Sequence, residues 1–101
     1  MTDQDIEIQI QEKGLNAPPV TLADLEKNIT EVEYVKHVSV SGKVLRWAVI
    51  TTKNGFAVTG RPSAAVSVEN DDQETGEQVA FANAKSELWP LMGYALTNTL
   101  S

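Results

Sequence analysis

Asn54-Gly55 is the feature that most constrains how this chain can fold. Both residues tolerate positive φ, as a tight two-residue type I′ turn requires, and the pair separates two runs of β-forming residues. The run before it, 44–52, is rich in β-branched and aromatic side chains. Within it Leu45, Trp47 and Val49 line one face while Arg46 falls on the other. After the turn, Phe56 and Val58 share one side of a third run, which Gly60-Arg61-Pro62 breaks. Upstream, Tyr34, Val35, Val38 and Val40 fill another strand, and Ser41-Gly42 supplies its turn. The spacing predicts a three-stranded antiparallel β-meander between Glu31 and Gly60. Ala64, Ala65 and Val66 are candidates for a short added edge strand.

Helices flank the meander. Thr21 can accept from the backbone N–H three residues on while Asp24 reaches back, and Leu22, Leu25 and Ile29 form one apolar stripe. That helix ends near Asn28 or Ile29. A second starts around Asn70–Asp72 and brings Ala80, Ala84 and Leu88 round at four-residue intervals, beside Phe81. Small alanines on that stripe suit close packing on a sheet. Pro90 either kinks one long helix or sits in the first turn of a third, and Leu91, Met92, Ala95 and Leu96 continue the apolar stripe. Trp47 and Trp89 read as core side chains. Residues 1–20 read as an extended lead segment or arm: Ile6, Ile8 and Ile10 alternate like a strand, and Gly14 and Pro18-Pro19 end the pattern. The expected architecture is a single α+β domain over 21–101. It comprises an N-terminal helix, a three-stranded meander and a long C-terminal helical region, kinked or restarted at Pro90, on one sheet face.

Composition narrows the chemistry. At 101 residues the chain has room for one domain. With no cysteine it can form neither disulfides nor thiolate metal sites. No apolar run approaches the roughly 20 residues of a membrane helix, and no signal peptide opens the chain, so a soluble intracellular protein is expected. The formal charge of −6 is unevenly spread. Residues 1–33 hold eight acids against Lys13 and Lys27. Residues 34–68 hold Lys36, Lys43, Arg46, Lys53 and Arg61 and no acid. Residues 69–101 hold six acids against Lys85. Either the acidic flanks neutralise the basic middle internally, or those five cations form an anion site for a phosphate, a nucleotide or an acidic partner. A negative overall field without a Lys/Arg cluster disfavours general nucleic-acid binding.

Catalytic groups are sparse. His37 is the sole histidine and lies in an expected strand, so it would have to serve every hydrolytic role as base; no Gly-x-Ser-x-Gly accompanies it. An EF-hand loop started at Asp71 would put Ala82 where the bidentate Glu belongs, so the acidic run 69–77 reads as a helix N-terminus and not as a calcium site. There is no glycine-rich phosphate loop. The reading is of a protein that is not an enzyme, without metal or cofactor.

Asn54-Gly55-Phe56-Ala57-Val58-Thr59-Gly60, then Ser63-Ala64, Asn70, Gly76 and the segment Trp89-Pro90-Leu91-Met92-Gly93-Tyr94 together resemble a family of small phage and prophage proteins. That family is named for gene forty-nine and gene sixty-six of two tailed phages. Leu15-Asn16-Ala17-Pro18 and the helix from Thr21 also resemble its usual start. The matching positions are Asn54, Gly55, Phe56, Gly60, Ser63, Ala64, Asn70, Gly76, Trp89, Gly93 and Tyr94, and most have turn or packing duties. Two stretches depart: Arg61-Pro62 precede Ser63-Ala64 where the family usually has Gly-Glu-Ser-Ala, and Asn70-Asp71-Asp72 stand for its usual Asn-Phe-Asp. The resemblance implies a phage-encoded accessory protein in the cytoplasm of the infected or lysogenic bacterial cell. The expected function is to bind and inhibit a host protein, such as one of antiviral defence. The alternative is an oligomer that sequesters a nucleotide signal at a basic site between subunits. A sheet with a second face and two edges also leads us to expect a homo-oligomer, most simply a dimer.

Overall fold

The computed structural model describes residues 20–100, so the expected lead segment lies outside the described residues except for Val20. The order is α1 (Leu22–Lys27), β1 (Ile29–Val38), β2 (Val44–Thr52), β3 (Ala57–Thr59), β4 (Ser63–Ala65), α2 (Gln73–Ser86) and α3 (Leu88–Leu100). This is the expected α+β architecture. Thr21 caps α1 through a full capping box: the Asp24 amide donates to Thr21 Oγ1 at 3.0 Å, and the Thr21 amide donates to Asp24 Oδ2 at 3.1 Å. Asp72 caps α2, its carboxylate accepting from the Glu74 amide. Pro90 sits in the first turn of α3, where its missing N–H costs nothing.

The sheet has four strands and is centred on β2. β1 runs antiparallel along one edge of β2, while β3 and β4 share the other, pairing with its two ends in turn. Residues 60–62 bridge these two short strands, so the segment expected only as an added edge completes the second edge of β2.

The Asn54-Gly55 turn differs from the type I′ expectation. The loop spans three residues, Lys53 to Gly55: the Thr52 amide donates to Phe56 O at 2.8 Å, and the Gly55 amide donates to Thr52 O at 2.9 Å. Gly55 has φ +86°, and no described non-glycine residue has positive φ. This is the three-residue hairpin in which a turn is closed by a left-handed glycine. Asn54 contributes through its side chain, whose Oδ1 accepts from Thr52 Oγ1 and the Phe56 amide. The β1–β2 turn repeats the device, with Gly42 at φ +86° and the Ser39 amide donating to Lys43 O.

All three helices cover one sheet face. Along β2 burial alternates strictly: Val44, Arg46, Ala48, Ile50 and Thr52 are buried, and the odd positions are half-exposed. Leu25 from α1, Ala80 and Ala84 from α2 and Leu88 from α3 close over Ala48 and Ile50, with Phe81, Trp89 and Met92 at the margin. Each large side chain so buried contributes roughly 1.5–3 kcal/mol. Trp89 is therefore placed as expected. Trp47 is not: it lies with Leu45 and Val49 on the opposite face, which no described helix covers. The cause is steric. Helix α2 comes so close that its backbone at Asn83 and Ala84 meets Gly60, and its Gly76 passes over the Arg46 side chain. Ala48 leaves room for that approach, whereas Trp47 would not.

Glycine substitutions should therefore separate cleanly. Gly60→Ala would drive a Cβ into the α2 backbone and should cost about 1–3 kcal/mol, the range for overpacking. Gly93→Ala meets nothing within 4 Å and lies inside a helix, so it should stabilise by about 1 kcal/mol. Urea unfolding followed by circular dichroism measures both.

Candidate protein-binding groove

The five cations of the basic middle do not converge. Lys43 and Lys53 stand in the turns at opposite ends of β2, roughly 30 Å apart by strand rise. Arg61 follows β3 and is exposed. Only Lys36 and Arg46 are brought together, as cross-strand partners on the helix-covered face. Arg46 is 7% exposed and already paired: its guanidinium forms a bidentate contact with Asp71, with Nε donating to Oδ1 at 3.3 Å and Nη2 to Oδ2. Lys43 Nζ donates to the Val66 carbonyl at 2.9 Å. Asp71, one of the two departures from the family pattern, is thus the internal counter-ion of the basic strand. Arg46 holds the Asp71 carboxyl below its ordinary value by hydrogen bonding and by charge, and Lys36 adds a smaller share. Asp24 is lowered in the same sense, first by the Thr21 amide.

A cleft of about 190 Å³ opens beside this pair, between β4 and the start of α2, bordered by Ser63, Asn70, Asp72, Thr75 and Val79. Its own charges are acidic, and the neighbouring guanidinium is spent on Asp71, so it suits no anion. His37 is exposed on β1 across from Leu45. Among the described residues no group of three or more His, Cys, Asp and Glu is arranged to hold a metal ion.

The matching family positions divide. Asn54 and Gly55 make the turn. Gly60 and Gly76 give α2 its close approach, Ser63 Oγ donates to the Arg46 carbonyl at 3.3 Å, and Trp89 packs on the core. Asn70 donates its amide to Ser67 Oγ, while Ala64 is exposed on the open sheet face. Phe56 and Tyr94 stand 55% and 71% exposed.

Those two aromatics mark a surface that the sequence analysis did not single out. Helix α3 carries no charged side chain. Leu88, Trp89 and Met92 face the core, yet Leu91, Tyr94 and Leu100 remain exposed. Polar Thr97, Asn98 and Thr99 fall in its last turn, while apolar side chains ahead of them are left uncovered. Between α3 and the Asn54-Gly55 turn lies a groove of about 220 Å³ lined by Asn28, Asn54, Phe56, Leu91, Met92 and Ala95, none of them charged. Tyr94 rises one turn from Leu91. The signal was present in the sequence, as thirteen residues without a charge in a strongly acidic chain, but it read as core.

The scaffold that carries this surface is a small α+β domain. A family model, that of the phage protein (N4 Gp49/phage Sf6 gene 66) family, matches residues 20–100. The chain belongs to that family. No curated protein and no solved structure matches it. No helix among the described residues is long and apolar enough to cross a membrane.

The pair under α2 should govern acid stability. Because Asp71 has a lower pKa folded than unfolded, its contribution is complete above the ordinary value of 3.8 and is lost as pH falls through the lowered one. Asp71→Asn should lower the melting temperature at pH 7, because Arg46 is left buried and unpaired, and should flatten the acid limb of the stability curve. The double change Arg46→Met with Asp71→Leu should recover most of the loss. Thermal melts from pH 2 to 7 test both variants.

Proposed function

We propose that this is a phage-encoded accessory protein that binds and inhibits a host protein in the bacterial cytoplasm, with no catalysis of its own, and that α3 and its groove make the contact. The observation that carries this reading is the uncharged groove in which Leu91 of α3 meets Phe56, with Tyr94 exposed one turn along the same charge-free helix. Aromatic and aliphatic side chains around a concave apolar spot are the usual energetic centre of a protein interface. At about 220 Å³ the groove falls below the ~300–1,000 Å³ of small-molecule pockets and better suits one inserted side chain. The chain around it is acidic, so the partner suited to it presents an apolar knob in basic surroundings. Membership of a phage family makes a host protein the natural candidate. Sequestration of a nucleotide would need cations gathered at one place, and Lys43 and Lys53 lie a strand-length apart.

The test compares the full chain with Leu91→Asp and Tyr94→Arg, both at exposed positions. The wild-type protein should retain one host protein stoichiometrically and suppress that protein's activity. Each variant should bind it at least tenfold more weakly, equivalent to ~1.4 kcal/mol. A partner held equally by both variants, or none at all, would overturn the assignment. A rise in melting temperature with any nucleotide would favour sequestration.

A further inference from the structure

The second apolar surface lies on the far side of the sheet. Odd positions of β2 and their register partners share this face. Trp47 is opposite Val35; Leu45 is between His37 and Ala64; Val49 is between Glu33 and Thr59; Thr51 is between Glu31 and Ala57. All three helices lie on the other side, so no described element packs on it. A sheet open on one face normally alternates apolar inside with polar outside. Here β2 is apolar on both.

We propose that this face is covered by a second copy of the chain, in a two-fold sheet-on-sheet dimer with Trp47 at its centre. Three observations choose the occupant. The first is position: Trp47 lies next to the midpoint of the nine-residue β2, so a two-fold axis crossing the strand there sets Trp47 of one copy against Trp47 of the other. The second is charge. Glu31 and Glu33 outnumber Lys53 at one end of the face, and the other end carries His37, leads into Lys43 and has no acid. With strands antiparallel across the interface, the acidic end of each copy meets the basic end of its partner; the parallel arrangement would gather four carboxylates. The third is area. Nine residues of strand by three strand columns span roughly 30 by 15 Å, with the sheets about 10 Å apart. Pleated side chains on that footprint bury on the order of 600 Å² per copy, at the low end for a specific pair, so association should be reversible at micromolar concentration. The interface uses none of α3, so the dimer leaves the proposed host-binding groove free on both copies.

Sedimentation velocity of the full chain from 1 to 200 µM tests the proposal. The expected result is a monomer–dimer equilibrium that Val35→Arg weakens at least tenfold. Val35 is already 37% exposed on an edge strand, so this variant should fold, and circular dichroism verifies that it does. Trp47→Arg should abolish the dimer. Because the chain has no cysteine, Val35→Cys offers an independent readout. Near the axis it should form a disulfide-linked dimer on mild oxidation, and Leu91→Cys on α3 should not. A monomer at every concentration would overturn the proposal, as it would if residues 1–19 or a host protein take this face. A dimer insensitive to Val35→Arg, or one that cross-links through Leu91→Cys, would overturn it equally. Loss of host binding in Leu91→Asp with the dimer intact separates the fate of the two proposals.

Discussion

The fold turns on how Arg46 is accommodated. An arginine in the middle strand forces a choice between leaving the guanidinium in solvent and turning its face inward with a counter-ion. This chain turns it inward. Asp71, just ahead of the Asp72 cap of α2, pairs with it as the helix begins, so the pair fixes the start of α2 against β2. Burying an unpaired guanidinium would cost several kcal/mol, and the bidentate carboxylate offsets much of that. The consequence reaches the opposite side of the sheet. Once the even positions of β2 are inward, Leu45, Trp47 and Val49 face outward, because side chains alternate with period two.

Close packing follows from small residues on both sides of the layer. Gly60 abuts the backbone of α2 at Asn83 and Ala84, Gly76 lies over Arg46 Cδ, and Ala80 and Ala84 share the buried cluster with Ala48. A methyl group at Gly60 has no place to go, whereas one at Gly76 would stand 2.9 Å from a side-chain carbon that can move. These contacts explain why β2 carries its tryptophan on the open face, away from α2. They also explain why the N-terminal and C-terminal helices meet on that side: Leu25 and Leu88 reach the same patch around Ile50.

Local chemistry was legible in the sequence where one residue decides the outcome. Thr21 with Asp24 gave the first helix its start, Pro90 could fit only an interruption or a first turn, and paired turn residues located the hairpins. The α+β class follows from these. The turn type was not legible, because Asn54 acts through its side chain while Gly55 alone takes positive φ. Which face of β2 is inward was not legible either. Leu45, Trp47 and Val49 form the more apolar stripe, but the decision depends on Asp71, twenty-five residues from Arg46, and on the tolerance of α2 for a close approach. The charge-free tail read as core for a similar reason: hydropathy alone cannot distinguish a helix buried in its own domain from one exposed for another.

Two apolar surfaces on so small an acidic chain impose a requirement on each other. Exposed apolar patches mark either interaction sites or aggregation liabilities. Charge distributes the task. The sheet face is acidic at one end and basic at the other, which favours an antiparallel identical copy. The groove beside α3 is neutral and set in an acidic protein, which favours a different, basic partner. Self-association through the groove would bring together two chains of charge −6 with no ion pair to offset the repulsion. The same distribution of charge that neutralises Arg46 internally therefore makes an identical copy the better match for the sheet face and a basic surface the better match for the groove.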